Sequence, residues 1–181
     1  MKFRIALVLL IIAALTRLLP HPYNFTPIGA IGLFGAAHFE RRWLALAVPF
    51  AALFLTDLFI NNVVYAAIYP SFTWITSWWI YAAFAAVMAT GWVLLREKTS
   101  LGRIVGASLT ASLLFFLITN ASTWVETTIY PKTFAGLMTC YAAGLPFFGN
   151  TVMGDLFFSG VLFGGYAWAM RRQDTTARVN A

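Results

Sequence analysis

The sequence predicts an all-α integral membrane protein, folded as a compact bundle of six transmembrane helices. Hydrophobic residues fill 61% of the 181 positions and charged residues 10%, whereas soluble domains average about 45–50% apolar and about 25% charged residues. Six apolar runs are joined by connecting segments, and basic residues collect beside alternate connections. These observations predict one transmembrane domain over residues 1–170 and a polar cytoplasmic tail over residues 171–181.

Each predicted helix corresponds to one apolar run. In chain order the runs cover about 3–19, 26–38, 43–60, 73–95, 101–120 and 147–170. The first follows Lys2 and Arg4 as a signal peptide would, but no small-residue cleavage site follows, which favours a retained helix. The second run is too short to cross about 30 Å of hydrocarbon unaided. An alternative makes residues 61–70 a separate re-entrant segment.

The basic residues predict the orientation, because cytoplasmic connections carry an excess of Lys and Arg. With the N-terminus in the cytoplasm, the outer side receives Arg17 and Lys132. The cytoplasmic side receives the other ten: Lys2, Arg4, Arg41, Arg42, Arg96, Lys98, Arg103, Arg171, Arg172 and Arg178. This asymmetry predicts an even number of spans with both termini inside.

Glycines recur at spacings typical of helix contacts, three or four residues apart. They are Gly29, Gly32, Gly35, Gly102, Gly106, Gly160 and Gly164. Small residues let helix backbones approach closely within a membrane. We interpret these glycines as contacts inside the bundle, with contacts between copies or subunits as the alternative.

Polar and charged side chains collect toward the outer side of the predicted bundle. A charge at membrane depth costs at least about 2.5–3.5 kcal/mol, so it normally faces a partner or a water-filled cavity. We expect Arg17 to pair with Asp57 or Asp155. The alternative to a ligand site is a buried ion pair that fixes helix order.

Aromatic side chains crowd the same side, which favours a flat or cationic ligand, with an interfacial aromatic belt as the alternative. We therefore predict an outward-facing binding site. Its residues are Arg17, Asn24, Asp57, Asn61, Trp78, Asn120, Trp124, Glu126 and Asp155. The acids would attract a cationic or polar solute, Arg17 would orient one of them or hold an anionic group, and the tryptophans would stack. The long connection over residues 121–146 is predicted to form an interfacial lid.

The sequence lacks the motifs of nucleotide hydrolysis and of dedicated metal binding, namely a Walker A loop, His-x-x-x-His, a Cys pair and Glu-x-x-His. We predict no enzymatic activity, no cofactor, no resident metal and no nucleic-acid partner. The weakest alternative is a membrane enzyme with Glu126 or Asp155 as acid or base. The single cysteine, Cys140, is interpreted as a small apolar residue, with a soft ligand to a metal-containing substrate as the alternative.

Several segments carry a family resemblance that spans about residues 3–170. A first helix ending in a basic residue and a Pro-flanked loop precede "TPIGAIGLFGAAHF", "LFLTDLFIN" and "GNTVMGDLFFSGVLFGG". This order resembles the substrate-binding S components of energy-coupling-factor (ECF) vitamin transporters. It is also similar to a family of uncharacterised bacterial membrane proteins of similar length.

The resemblance implies a multi-pass protein of the bacterial cytoplasmic (inner) membrane that captures a small vitamin-like solute from outside for uptake. It implies closure of the pocket by the first outer loop and a transmembrane coupling subunit with ATPases as partner. Many members dock that subunit through Ala-x-x-x-Ala in the first helix, whereas "FRIALVLLIIAAL" lacks this spacing. Action alone or with another partner is therefore an alternative. The other function class is a structural or accessory subunit of a larger membrane complex.

Overall fold

The computed structural model describes residues 2–69 and 71–179, and it confirms the all-helical fold class. Six α-helices follow one another along the chain: α1 (Lys2–Thr16), α2 (Ile28–His38), α3 (Arg42–Phe59), α4 (Trp78–Leu95), α5 (Leu101–Glu126) and α6 (Phe134–Val179). A π-helical segment, Ile60–Val64, extends α3. These described residues contain no β-strand.

Four helical segments are long and apolar enough to cross a membrane. They are Arg42–Val64, Trp78–Leu95, Leu101–Glu126 and Phe134–Gln173. The 15 residues of α1 and the 11 residues of α2 reach about 22 and about 16 Å, respectively, at 1.5 Å per residue. The length and composition of the four longer helices indicate a membrane protein.

The short helix α2 lies at the centre of the bundle. Its residues 28–36 are all buried, and it contacts each of the other five helices. Its sequence, IGAIGLFGAAH, is apolar and rich in small residues on every side, so it has no face suited to water. An apolar helix of this kind is stable when surrounded by other helices, which is the position it occupies.

Three glycines of α2 explain how its neighbours come so close. A methyl group on Gly29 would overlap the Asp155 carboxylate, and one on Gly35 would overlap Pro49. A methyl group on Gly32 would lie 3.0 Å from the Phe84 ring. For these three positions, the interpretation as packing contacts is confirmed.

The Gly-x-x-x-Gly pairs of α5 and α6 are different. At Gly102, Gly106, Gly160 and Gly164, an added Cβ would have no neighbour within 4 Å in the described part of the chain. The interpretation as contacts inside the bundle was therefore wrong for these pairs. Both pairs lie on helix faces that point away from the packed interior.

Successive helices run in opposite directions, so the connections gather at two ends. The first-loop end carries the α1–α2 connection (17–27) together with residues 65–77 and 127–133. The opposite end carries residues 39–41 and 96–100. An ion pair of 2.6 Å between Arg17 and Asp57 ties the first-loop end together.

The predicted boundaries between α5 and α6 were wrong, and α4 begins at Trp78 where the sequence predicted about 73. The sequence predicted a long outer connection over 121–146, but α5 continues to Glu126 and α6 begins at Phe134. The predicted sixth run began at about 147, directly after Pro146, yet Pro146 lies inside α6. A proline removes one intrahelical hydrogen bond, which a membrane helix packed against a neighbour tolerates. The polar residues 171–179 continue this helix, and residues 180–181 of the predicted tail lie outside the described residues. The alternative re-entrant segment over 61–70 begins within the π-helical turn Ile60–Val64, and residue 70 lies outside the described residues.

Candidate functional site

A cavity of about 330 Å³ opens at the first-loop end, between the α1–α2 connection and the facing parts of α5 and α6. Its apolar walls include the rings of Phe115, Phe116 and Phe147. Polar side chains from separate segments line it: Arg17, Asn24, Thr26, Thr119, Asn120, Thr151 and Asp155. Apolar walls with a few convergent polar groups are typical of small-molecule sites.

Arg17 is held at the cavity wall by α3. Its Nη2 lies 2.6 Å from Asp57 Oδ1, and its Nη1 donates to Thr56 Oγ1 at 2.6 Å. The Tyr81 hydroxyl donates to the other Asp57 oxygen at 3.2 Å. The ion pair is therefore Arg17 with Asp57, and Asp57 lies behind the wall. A guanidinium has five N–H groups, so these contacts leave Arg17 with donors for a ligand.

Asp155 of α6 is the buried acid of the cavity, with 3% of its side chain exposed. The Ser112 hydroxyl of α5 donates to Asp155 Oδ2 at 2.6 Å. The carboxylate also lies against Gly29, in the first turn of α2. Pro27 provides no side-chain cap there, and a negative charge at a helix N-terminus is favourable. Asp155 thus stabilises the start of α2 while it faces the cavity.

The wall formed by α5 and α6 carries polar groups that bond to their own helices. The Thr119 hydroxyl donates to the Phe115 carbonyl at 2.8 Å, and the Asn120 amide donates to the Phe116 carbonyl at 2.8 Å. The Thr151 hydroxyl donates to a carbonyl one turn earlier on α6, at 3.3 Å. These bonds fix which atoms of the three side chains remain for a ligand.

The α1–α2 connection is fastened over the cavity by α6. The Asn150 side chain donates to the Tyr23 carbonyl at 3.0 Å, and the Phe25 ring packs on Phe157 and Phe158. Asn24 has a φ of 63°, in the left-handed region that asparagine tolerates better than most residues. Asn24 forms part of this connection and lines the cavity.

Asn61 lies in the π-helical segment, one turn beyond Asp57, and 5% of it is exposed. Among the described residues, its side-chain nitrogen has no hydrogen-bond partner. It is not part of the cavity lining. Its neighbour Asn62 exchanges two hydrogen bonds with the Thr73 backbone, of 2.8 and 2.9 Å, which fixes the connection over residues 65–77.

The remaining predicted residues lie away from the cavity. Glu126 accepts a hydrogen bond from the Ser77 hydroxyl at 3.2 Å. The Trp124 indole donates to the Pro131 carbonyl at 2.8 Å, which helps fold the connection over 127–133. Trp78 has 72% of its surface exposed. These contacts give Glu126 and Trp124 roles in holding connections.

The structure therefore brings four predicted residues, Arg17, Asn24, Asn120 and Asp155, to one cavity. Asp57 supports Arg17 from behind, whereas Asn61, Trp78, Trp124 and Glu126 lie elsewhere. The sequence prediction missed Thr119 on α5 and Thr151 on α6, which line the cavity, and Ser112 on α5, which bonds to Asp155. Residues four or seven positions apart share a helix face, so their spacing from one another and from Asp155 was the available signal.

Cys140 belongs to α6 and is 2% exposed. Its Sγ contacts the Asn120 carbonyl at 3.3 Å, and it does not line the cavity. The described residues contain no group of three or more His, Cys, Asp or Glu side chains that could hold a metal ion. The position of Cys140 is that of a small packed side chain.

Fold and cavity together define an all-helical membrane protein with a cavity of solute size at one end. The chain belongs to the DUF6580 family, described as a family of unknown function, whose model matches residues 1–177. No curated protein and no solved structure matches the chain.

Proposed function

We propose that the protein is a membrane transport component that captures a small vitamin-like solute in this cavity for uptake, as an ECF S component does. The observation that carries the proposal is the convergence of Arg17, Asn120 and Asp155 on one cavity of about 330 Å³. They come from the first connection, α5 and α6, far apart along the chain. A cavity of this size holds a small organic molecule.

The burial of Asp155 adds weight to a ligand role. An acidic side chain inside a membrane helix is costly and is usually functional. Ser112 and the start of α2 supply hydrogen-bonding and dipolar support, but the carboxylate still lines an open cavity. A purely structural acid would not need this open space beside it.

We further propose six spans in the bacterial cytoplasmic membrane, with both termini in the cytoplasm and the first-loop end outside. The distribution of basic residues supports this orientation. The cavity would then face the medium, where solutes are captured. Reporter fusions after Gln173 and within residues 127–133 should report opposite compartments, and the same compartment for both would contradict the topology.

The first experiment identifies the cargo. Full-length protein is purified in mild detergent, denatured, and the released small molecules are measured by mass spectrometry. We expect one dominant solute in stoichiometric amount from the native protein and its loss from Asp155→Asn. Glu126→Gln is the matched control, because that acid lies outside the cavity, and it should retain the solute. Equal retention by all three proteins would contradict the site.

A second candidate, an accessory subunit of a larger complex, is favoured by the exposed glycine pairs of α5 and α6. Small residues on an open helix face allow another transmembrane helix to approach closely. Gly106→Leu and Gly160→Leu should then abolish co-purification of a partner without unfolding the bundle. A protein that remains monomeric in nanodiscs, with and without these changes, would exclude this candidate.

A further inference from the structure

The hydrogen-bond pattern of the α5–α6 wall defines what the cavity can offer a ligand. Each backbone carbonyl is an acceptor, so in these contacts the Thr119 and Thr151 hydroxyls donate to the carbonyls of Phe115 and Phe147, at 2.8 and 3.3 Å. The oxygen of each hydroxyl therefore faces a ligand with lone pairs and no hydrogen. On this wall the two threonines act as acceptors.

Asn120 behaves in the same way. Its amide nitrogen donates to the Phe116 carbonyl at 2.8 Å, which identifies the other atom of the amide as the oxygen. That oxygen is directed toward Gly144, where a methyl group would overlap it, and both residues line the cavity. The amide therefore also presents an acceptor to this space.

Asp155 completes the acceptor wall, one turn along α6 from Thr151. Its Oδ2 accepts the Ser112 hydroxyl, and its Oδ1 lies toward Gly29. A carboxylate supplies about four acceptor positions and no donor. Three rings, those of Phe115, Phe116 and Phe147, adjoin these acceptors, and aromatic faces attract cations.

The other side of the cavity has the opposite character. Arg17 is neutralised by Asp57 at 2.6 Å, so it adds little repulsion for a cation. Its remaining N–H groups and the Asn24 amide supply hydrogen-bond donors. The cavity thus has an acceptor wall on α5 and α6 and a donor edge on the α1–α2 connection.

We infer that the captured solute is a small organic amine, cationic and carrying N–H donors, bound with its ammonium group against Thr119, Asn120, Thr151 and Asp155. Its other end would carry an acceptor such as a hydroxyl, carbonyl or ring nitrogen, directed at Arg17 and Asn24. The inference rests on the proposed solute capture and specifies its ligand class.

A matched probe series tests the class. Tryptamine, tryptophol and indole-3-propionate share one indole-ethyl skeleton and end in an ammonium, a hydroxyl and a carboxylate. Their affinities for the full-length protein in detergent are measured by calorimetry. Tryptamine should bind at least about tenfold tighter than tryptophol, since charge-assisted hydrogen bonds are about twice as strong as neutral ones, and the acid should bind weakest.

Variants test which side chains cause the preference for an ammonium group. Asp155→Asn should reduce tryptamine affinity to that of tryptophol. Because Asp155 also supports the start of α2, Thr151→Val provides a second test: it keeps the side-chain shape but removes one acceptor, and should weaken tryptamine at least about threefold while sparing tryptophol. Ser159→Ala, one turn further along α6 and bonded to Ser108, is the control and should bind as the native protein does.

The outcomes separate the two proposals. Equal affinities, or preference for the acid, would overturn the amine assignment while leaving solute capture intact. If no probe binds, the charge class of the co-purified solute decides: an amine supports the inference, and a neutral or anionic solute overturns it. If no probe binds and no solute co-purifies with the protein, the proposed function itself fails.

Discussion

The two ends of α2 form an instructive comparison. At its start, the acid Asp155 lies beside the first turn. At its end, Arg96 donates to the Glu40 carbonyl at 2.9 Å and to the Ala36 carbonyl at 3.4 Å. Both charges have the sign that stabilises a helix dipole. A short helix enclosed by protein therefore has each terminus supported by a charged residue from elsewhere in the chain, Asp155 of α6 and Arg96 directly after α4.

The difference between the ends lies in the cavities beside them. The opposite end has a wider one, of about 560 Å³, lined by Lys2, Glu40 and Arg41 among others. These three side chains are exposed to solvent, whereas the smaller cavity at the first-loop end contains the buried Asp155. Burial of an acidic side chain, and not volume, therefore distinguishes the candidate site.

The largest effect should come from removing Arg17. Arg17→Ala leaves the buried Asp57 without its cation, and breaking a buried ion pair costs about 3–5 kcal/mol. We expect that loss in the free energy of unfolding, measured by denaturant titration in detergent. Arg17→Ala with Asp57→Ala should recover most of it, since no isolated charge remains. A loss under about 1 kcal/mol for the single change would show that the pair is well hydrated.

A smaller effect is expected from a methyl group at Gly29. Gly29→Ala would push the added carbon into the Asp155 carboxylate, and overpacking of this kind costs about 1–3 kcal/mol. Solute binding should fall as well, because Asp155 must move. Gly102→Ala is the matched control: its Cβ meets no described atom within 4 Å, so helix propensity should stabilise the protein by up to about 1 kcal/mol. Equal losses at both glycines would contradict the comparison.

The smallest effect should appear at the opposite cavity. Lys2→Ala combined with Arg41→Ala removes two exposed charges, and exposed substitutions usually change stability by no more than about 0.5 kcal/mol. Solute retention should remain that of the native protein in the mass-spectrometric assay. A loss of solute here would move the candidate site to the wider cavity.

The all-helical fold class could be predicted from the sequence, because long apolar runs separated by charged residues indicate membrane helices directly. The short second run was recognised, and its glycines indicated the close packing that α2 shows. Pro146 led to a wrong start for α6, because a proline in a sequence usually indicates the end of a helix. In the structure α6 continues through Pro146, where it packs against α5. The sequence does not show which helices become neighbours in the fold, so stabilisation of α6 by packing against α5 could not be predicted.

The residues of the candidate site were predicted only in part, because the sequence does not show which side chains the fold brings together. Arg17 and Asp155 stand out because charges are rare in membrane helices. Glu126 is also charged and Trp78 is a large aromatic residue, so the sequence offered similar grounds for including them. Both lie at helix ends, beside connections whose folding the local sequence does not determine. Thr119 and Thr151 could not be recognised as cavity residues from the sequence, because a threonine in a membrane helix commonly bonds to the backbone of its own helix.

In the proposed topology, the length of α6 would set the height of the cavity relative to the lipid. Its segment that is long and apolar enough to cross a membrane, Phe134–Gln173, has 40 residues and measures about 60 Å, twice the hydrocarbon thickness of about 30 Å. A tilt of 40°, the upper end of the usual range, accommodates only about 39 Å. Since polar residues mark the other terminus, we infer that the surplus rises above the lipid at the first-loop end.

Gly144 and Phe147 would then stand level with the lipid headgroups. Spin labels at Phe134→Cys and Val161→Cys, in a Cys140→Ser background, should be accessible to a water-soluble relaxant and to oxygen in lipid, respectively. The reverse pattern would contradict this height. In the proposed function, a cavity raised in this way would let a dissolved solute enter from water without first partitioning into the bilayer.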